Sequence, residues 1–236
     1  MNYPKKSSTP FNGRSKTSMN FHQSLFRKLK NLVTPKMQSV SISELLPEDS
    51  SGFAVFDLET TGLSTQTARI LEIAIISLDR DGYVQEEWET LVNPGESICN
   101  TFIHGITDQM VKFAPSFNDL ASLVASKLNN RVLVAHNLSS YDQPILQRHL
   151  QEHLSSFAVD LGNGIDTMPS PRRKLEDMCA EYGVTIKKGE AHTAMGDTRA
   201  LTKAFRCGLR HLQTVGTPVS FLNGLPSCYK VNVLTR

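Results

Sequence analysis

The run Phe53-Ala54-Val55-Phe56 ends in Asp57-Leu58-Glu59, and no other feature constrains the fold of this chain so strongly. Four apolar residues in a row read as a strand, on which side chains alternate between faces. Asp57 and Glu59 are two apart and therefore point the same way. Two carboxylates side by side at a strand end repel each other and lose water at a cost. A fold keeps such a pair cheaply when a cation sits between them. Ligands that are all oxygen suit a hard divalent ion such as Mg2+ or Mn2+. An isolated Asp-x-Glu is more often solvated surface. The apolar strand before it and Thr60-Thr61-Gly62 after it argue against that reading here.

The rest of the chain supplies a domain around that strand. Its 236 residues and 39% hydrophobic content are enough for one good-sized domain with tails. Phe53–Leu58 is expected to be the first strand. Arg69–Leu78 is a second, largely buried one. Asp81-Gly82 makes a hairpin turn, and Tyr83–Val92 returns as a third strand closed by Asn93-Pro94-Gly95. Ser116-x-x-Asp119 has the form of a capping box, followed by Phe117, Leu120, Val124 and Leu128 on one helix face. Arg131–Ala135 is a short strand. Helical spacing recurs at Ile145–Leu154, at Leu175–Tyr182 and over 194–212. Strands in a hairpin, then strands alternating with helices, predict an α/β fold: a mixed sheet flanked by helices.

Residues 1–50 read as a basic, largely disordered tail, 51–213 as the folded domain, and 214–236 as an irregular C-terminal tail. Residues 1–43 hold eight Lys or Arg and no acid, although the whole chain carries only +2. Phe21, Leu25, Phe26, Leu29, Leu32 and Val33 recur at helical spacing within that tail. They suit an amphipathic helix docking on the domain, on a partner or on nucleic acid. A basic, acid-free start also resembles an organellar transit peptide, so the expected location is the cytoplasm with an organelle as the alternative. Cys99, Cys179, Cys207 and Cys228 form no C-x-x-C pair, which argues against a zinc site and fits a reducing compartment. No apolar stretch approaches the ~20 residues of a membrane span.

Further chemical groups follow the acidic pair. The strand Arg131–Ala135 runs into His136-Asn137, with Asp142 five residues beyond Asn137. Asp142 opens a helix ahead of Pro144, so taken alone it reads as an N-cap. His192 and Asp197 are five apart, a rotation of ~140° on a helix. They cannot share one helical face, so His192 belongs in a loop and Asp197 in the first turns that follow. A lone His-x4-Asp is otherwise a surface loop beside a helix-start acid. Gathered together, Asp57, Glu59, Asp142 and Asp197 would need about two divalent ions to balance them. Two such ions clamp the attacking and leaving oxygens of a phosphodiester, and an imidazole, neutral near pH 7, can take the proton of the attacking water.

These segments resemble the motifs of the DEDDh exonucleases, a family that includes the proofreading epsilon subunit of bacterial DNA polymerase III. Phe56-Asp57-Leu58-Glu59-Thr60-Thr61-Gly62 is similar to the first motif. Val134-Ala135-His136-Asn137 through Tyr141-Asp142 is similar to the second, and His192-Thr193-Ala194-Met195-Gly196-Asp197 to the third. Ile103-His104-Gly105-Ile106-Thr107 matches a further stretch. The resemblance covers about residues 51–210. It implies a ribonuclease H-like fold and 3′→5′ hydrolysis of single-stranded or frayed DNA, releasing nucleoside monophosphates, with RNA as the alternative substrate. It implies that Asp57, Glu59, Asp142 and Asp197 hold two Mg2+ or Mn2+ and that His192 is the general base. Thr60, Thr61 and Leu63 would border the terminal nucleotide, His104 would lie close to it, and Asn137 would orient the second-motif loop. Tyr141 stands where the family often has Phe, and a ring of similar shape should pack there. Glu72 and Asp166 are expected to support the fold rather than the metal. Arg172, Arg173 and Lys174 either attract a phosphate backbone or form a solvated surface. A reading of a different class is a binding module attached to a DNA polymerase subunit or a sliding clamp, since Gln23-Ser24-Leu25-Phe26 faintly resembles a clamp peptide.

Overall fold

In the computed structural model the described residues are 41–154, 157–168, 171–216, 222 and 232–235. The expected helix at 21–33 and the clamp-like peptide lie outside them. A short helix α1 (Ile42–Leu45) precedes the hairpin strands β1 (Gly52–Thr60), β2 (Ile70–Leu78) and β3 (Val84–Leu91). Two single-turn helices follow, α2 (Thr101–His104) and α3 (Asp108–Val111), then α4 (Phe117–Leu128) and β4 (Arg131–Ala135). A π-helical turn (Leu138–Asp142) leads into α5 (Gln143–His153), followed by β5 (Phe157–Asp160) and β6 (Ile165–Asp166). The chain continues as α6 (Leu175–Glu181), the long α7 (Ala194–Val215) and β7 (Asn232–Thr235).

Five strands form one mixed sheet in the order β3-β2-β1-β4-β6. The β1/β2 and β2/β3 pairs are antiparallel, whereas β1/β4 and β4/β6 are parallel. Alternation along β1 separates the two cores. Phe53 and Val55 pack with Ala74, Ile76 and the α7 residues Leu201, Phe205 and Leu209. Ala54, Phe56 and Leu58 face the other way, toward α4 and α5. Phe53 and Phe205 meet edge to face, with ring centroids 5.1 Å apart. Each such fully buried side chain contributes about 1.5–3 kcal/mol. Asp57 and Glu59 continue the Phe53/Val55 face, so the sheet aims both at α7. The edge strand β3 is held on both sides by ion pairs, Lys127–Glu86 and Arg199–Glu87. The charged edge also opposes pairing with another chain.

Two boundaries differ from the sequence expectation. Residues 41–50, expected to be tail, belong to the domain: Ile42 and Leu46 are buried in the α7-side core. The Arg80 guanidinium fixes the segment by donating to the carbonyls of Pro47, Ser50 and Ser43. Nor is the C-terminal stretch irregular throughout. Asn232–Thr235 pairs antiparallel with β5 as a separate two-stranded sheet, and Leu222 is buried. Among the described residues no helix is long and apolar enough to cross a membrane.

Candidate active site

The site forms where the C-terminal end of β1 meets the start of α7. Oxygen atoms of Asp57, Glu59 and Asp197 lie within 4.8 Å of one another. Asp142 is 3% exposed, beside them. Burial raises the carboxyl pKa of Asp57 well above its ordinary value, and Asp142, Glu59, Asp197 and Glu72 raise it further. Glu59 is pushed up to about 8, first by burial and then by Asp197, Glu72 and Asp142. Asp197 rises to about 6 through burial, against the opposing pull of His192. Burial likewise raises Asp142, opposed in part by the backbone N–H of Leu58 on its carboxylate. Acids raised together in this way repel one another, and a multivalent cation relieves the repulsion. A purely carboxylate donor set fits a hard divalent ion.

Local structure explains how each acid arrives. Asp142 is not an N-cap in practice. Its backbone is helical, with φ −66° and ψ −46°, and its side chain makes no cap bond. The preceding π-turn, closed by the Gln143 N–H on the Leu138 carbonyl, delivers it to β1 instead. Such wide turns recur at functional positions. Asp197 occupies the first turn of α7, and the backbone N–H of His192 bonds to its carboxylate. His192 itself lies in the preceding turn at φ 60°, exposed. Thr193 caps the helix through its hydroxyl, which accepts from the Gly196 N–H at 3.1 Å. Gly196 is required by packing, since a Cβ there would sit 1.9 Å from the Glu190 carbonyl oxygen. Glu72 lies opposite Glu59 in the sheet and accepts the Ala194 N–H at 2.8 Å, tying the α7 N-terminus to β2.

The second-motif loop is organised by Asp166. Its carboxylate accepts the Asn137, Ser139 and Met168 N–H groups, all at 3.0 Å, and the Ser139 hydroxyl at 2.7 Å. Burial would raise its pKa, but these donors bring it below the ordinary carboxylate value. Asn137 is the left-handed residue of the turn (φ 76°) and accepts from Arg172 at 2.7 Å. Sequence reading gave Asn137 the orienting part. Asp166, which follows the Gly-rich stretch Gly162-Asn163-Gly164 and was expected only to support the fold, carries most of it.

The first-motif loop is locked from within. The Thr60 and Tyr141 hydroxyls lie within hydrogen-bond reach of each other and of the Gly62 carbonyl, at 3.0 and 2.8 Å from it, so their two protons make two of these three bonds at a time. The phenol therefore does what Phe could not, and this role was missed in sequence. The Thr61 hydroxyl accepts the Arg69 N–H at 3.0 Å. Leu63 projects outward, 84% exposed. The Asn100 side chain donates to the Thr60 carbonyl at 2.8 Å, which places α2 against the same loop. His104, 7% exposed, ends α2. Its Nδ1 accepts the Ile106 N–H at 3.0 Å, so Nε2 carries the proton, and that buried Nε2 has no partner among the described residues. Burial lowers the His104 pKa and favours the neutral ring.

A cavity of about 310 Å³ opens beside these groups, lined by Asp57, Asp197, His192, His136, Lys174 and others. It joins Asp57 of the first motif to His192 and Asp197 of the third at one surface, while buried Asp142 acts on Asp57 from outside the lining.

Comparison with known proteins agrees with this geometry. Residues 54–205 match the RNase_T family model, described as exonuclease. A DNA polymerase III subunit epsilon of Treponema pallidum is 31% identical over 169 residues, covering 67% of this chain and 77% of that protein. A DNA polymerase III subunit epsilon-like protein of Rhodobacter capsulatus is 33% identical over 178 residues, but this chain spans only 24% of its length. The solved structure of exonuclease X with 5′ overhanging duplex DNA superposes with a TM-score of 0.54 at 22% identity, covering 74% of this chain and 99% of that one. This likeness extends to the ribonuclease H-like sheet. With most of its folded domain inside the matched span, the chain belongs to the RNase_T exonuclease family.

Proposed function

We propose that this chain is a two-metal-ion 3′→5′ exonuclease of the DEDDh type. It removes nucleoside monophosphates from the 3′ end of single-stranded or frayed DNA. The observation that carries this reading is the convergence of the Asp57, Glu59 and Asp197 oxygens within 4.8 Å, beside buried Asp142. His192 lines the same cavity as Asp57 and Asp197. The four carboxylates would hold two Mg2+ or Mn2+. When bound, such ions lower the pKa of water and offset charge on the leaving 3′ oxygen. The chain's own groups supply the rest. The His192 imidazole takes the proton of the attacking water. Its backbone N–H meanwhile fixes the Asp197 carboxylate. His104 offers its buried Nε2–H to an acceptor on the terminal nucleotide, which removes the cost of an unmet donor, ~1–3 kcal/mol. Leu63 packs on the terminal base from the locked first-motif loop. Thr60 and Thr61 shape that loop, since their hydroxyls are already engaged within it.

DNA is favoured over RNA by the likeness to polymerase III epsilon subunits, which also supports association with a polymerase. The test is digestion of a 5′-labelled oligodeoxynucleotide with Mg2+, beside a matched RNA. A ladder shortening from the 3′ end, absent with Asp57→Ala, is the expected result. Full activity of Asp57→Ala would remove the assignment, and faster loss of the RNA would make the chain an exoribonuclease.

A further inference from the structure

The run Arg172-Arg173-Lys174 takes three separate roles in the folded chain. Arg173 is spent on structure: its guanidinium pairs with Glu181 at 2.5 Å and donates to the Asp177 carbonyl at 3.3 Å. Arg172 donates to the Asn137 side-chain oxygen at 2.7 Å. Lys174 lines the cavity with Asp57, Asp197, His192 and Glu176, and among the described residues no other Lys or Arg does so. Among the described residues, neither Arg172 nor Lys174 forms a salt bridge with a carboxylate. The turn does not reach the cavity by chance. His136, at the end of β4, has Nε2 2.9 Å from the Arg173 carbonyl and Nδ1 3.1 Å from the Thr167 hydroxyl. Two consecutive second-motif residues thus hold it, His136 by the backbone and Asn137 by Arg172.

We propose that Lys174 and Arg172 form a clamp for a backbone phosphate of the substrate strand, upstream of the scissile linkage. In this arrangement His136 is the positioning residue that holds the clamp at the cavity. The proposal rests on the nuclease reading, because the acidic centre takes the scissile phosphate and leaves the next one to these cations. An ammonium suits a phosphate as a point charge and a guanidinium as a fork. A solvated run would not need two motif residues to anchor it, nor would it place a lysine in the lining of the cavity that Asp57, Asp197 and His192 share.

The experiment uses the full chain. Binding of a fluorescent single-stranded oligonucleotide is measured in EDTA across a salt series, and cleavage kinetics are then measured with Mg2+. Lys174→Ala should weaken binding and flatten the slope of log affinity against log salt by about 0.7, the value for one lost phosphate contact. KM should rise roughly tenfold, as expected for one charge-assisted bond, with kcat nearly unchanged. His136→Ala should reproduce the KM rise, and His136→Gln, whose amide can donate to the same carbonyl, should restore it in part. Replacing single phosphates by uncharged methylphosphonate should reveal one upstream linkage whose neutralisation harms the wild type and not Lys174→Ala. An unchanged salt slope and KM in both Lys174→Ala and Lys174→Glu would overturn the clamp. If the wild type binds but shortens no oligonucleotide, the nuclease reading fails instead, and the salt slopes still judge the clamp.

Discussion

Glu59→Gln should stabilise the metal-free chain at alkaline pH and remove most of the stabilisation that Mg2+ or Mn2+ provides. In the folded chain burial and three neighbouring acids raise Glu59 from an ordinary 4.5 to about 8. Between those values the folded state keeps a proton that the unfolded chain has released. Stability therefore falls as pH rises through the window, and the whole penalty is present above about 8. At about 1.36 kcal/mol for each pH unit the penalty is roughly 5 kcal/mol. The carboxylate is only partly shielded from water, and an effective dielectric near ~20 describes such groups better than a dry interior. That brings the expected gain from Glu59→Gln to roughly 2–3 kcal/mol, or about 5–10 °C in Tm for a domain of this size. The assay is thermal unfolding followed by the fluorescence of Trp88, the single tryptophan, in EDTA at pH 5 and pH 8.5, then with Mn2+. Near pH 5 the two proteins should melt almost together. At pH 8.5 the variant should melt higher in EDTA and gain less from Mn2+. A variant less stable at both pH values, with an undiminished response to Mn2+, would refute the reasoning.

Three further outcomes follow from the same geometry. His192→Ala should lower kcat by about 10²–10⁴, the usual contribution of a general base, while the Mn2+-induced rise in Tm persists; a lost Mn2+ response would make the imidazole a ligand. Tyr141→Phe removes the phenol that joins Thr60 to the Gly62 carbonyl, and should cost about 1 kcal/mol with a raised KM; unchanged denaturant midpoint and KM would show that the lock is idle. Gly196→Ala forces a Cβ against the Glu190 carbonyl and should cost ~1–3 kcal/mol by urea unfolding, with activity falling as α7 shifts; wild-type stability would contradict the packing.

What could be read before folding was whatever a local period records. The alternation of Phe53 and Val55 against Ala54 and Phe56 placed both first-motif acids on one face, and the spacing of Leu201, Phe205 and Leu209 marked the inner side of α7. Groups whose role depends on a distant partner were harder. Asp142 has the local setting of an N-cap, and only the π-turn and the Leu58 N–H show that it turns to β1 instead. Tyr141 looked like a substitute for Phe because the carbonyl its hydroxyl meets is 79 positions away. Ile165–Asp166 is a two-residue strand, too short for any pattern. The β5–β7 pair joins residues 157–160 to 232–235, distant segments whose pairing no local pattern records. Ile42 and Leu46 lie in a short segment beyond the tail's helical period, and the α7-side core alone reveals why they are buried.

Counting bound Mn2+ by electron paramagnetic resonance tests the central claim most directly. The expected result is two ions per chain, with the count falling in Asp57→Asn and Asp197→Asn and unchanged in His192→Ala. No saturable binding by the folded wild-type chain, or binding indifferent to both aspartates, would contradict it.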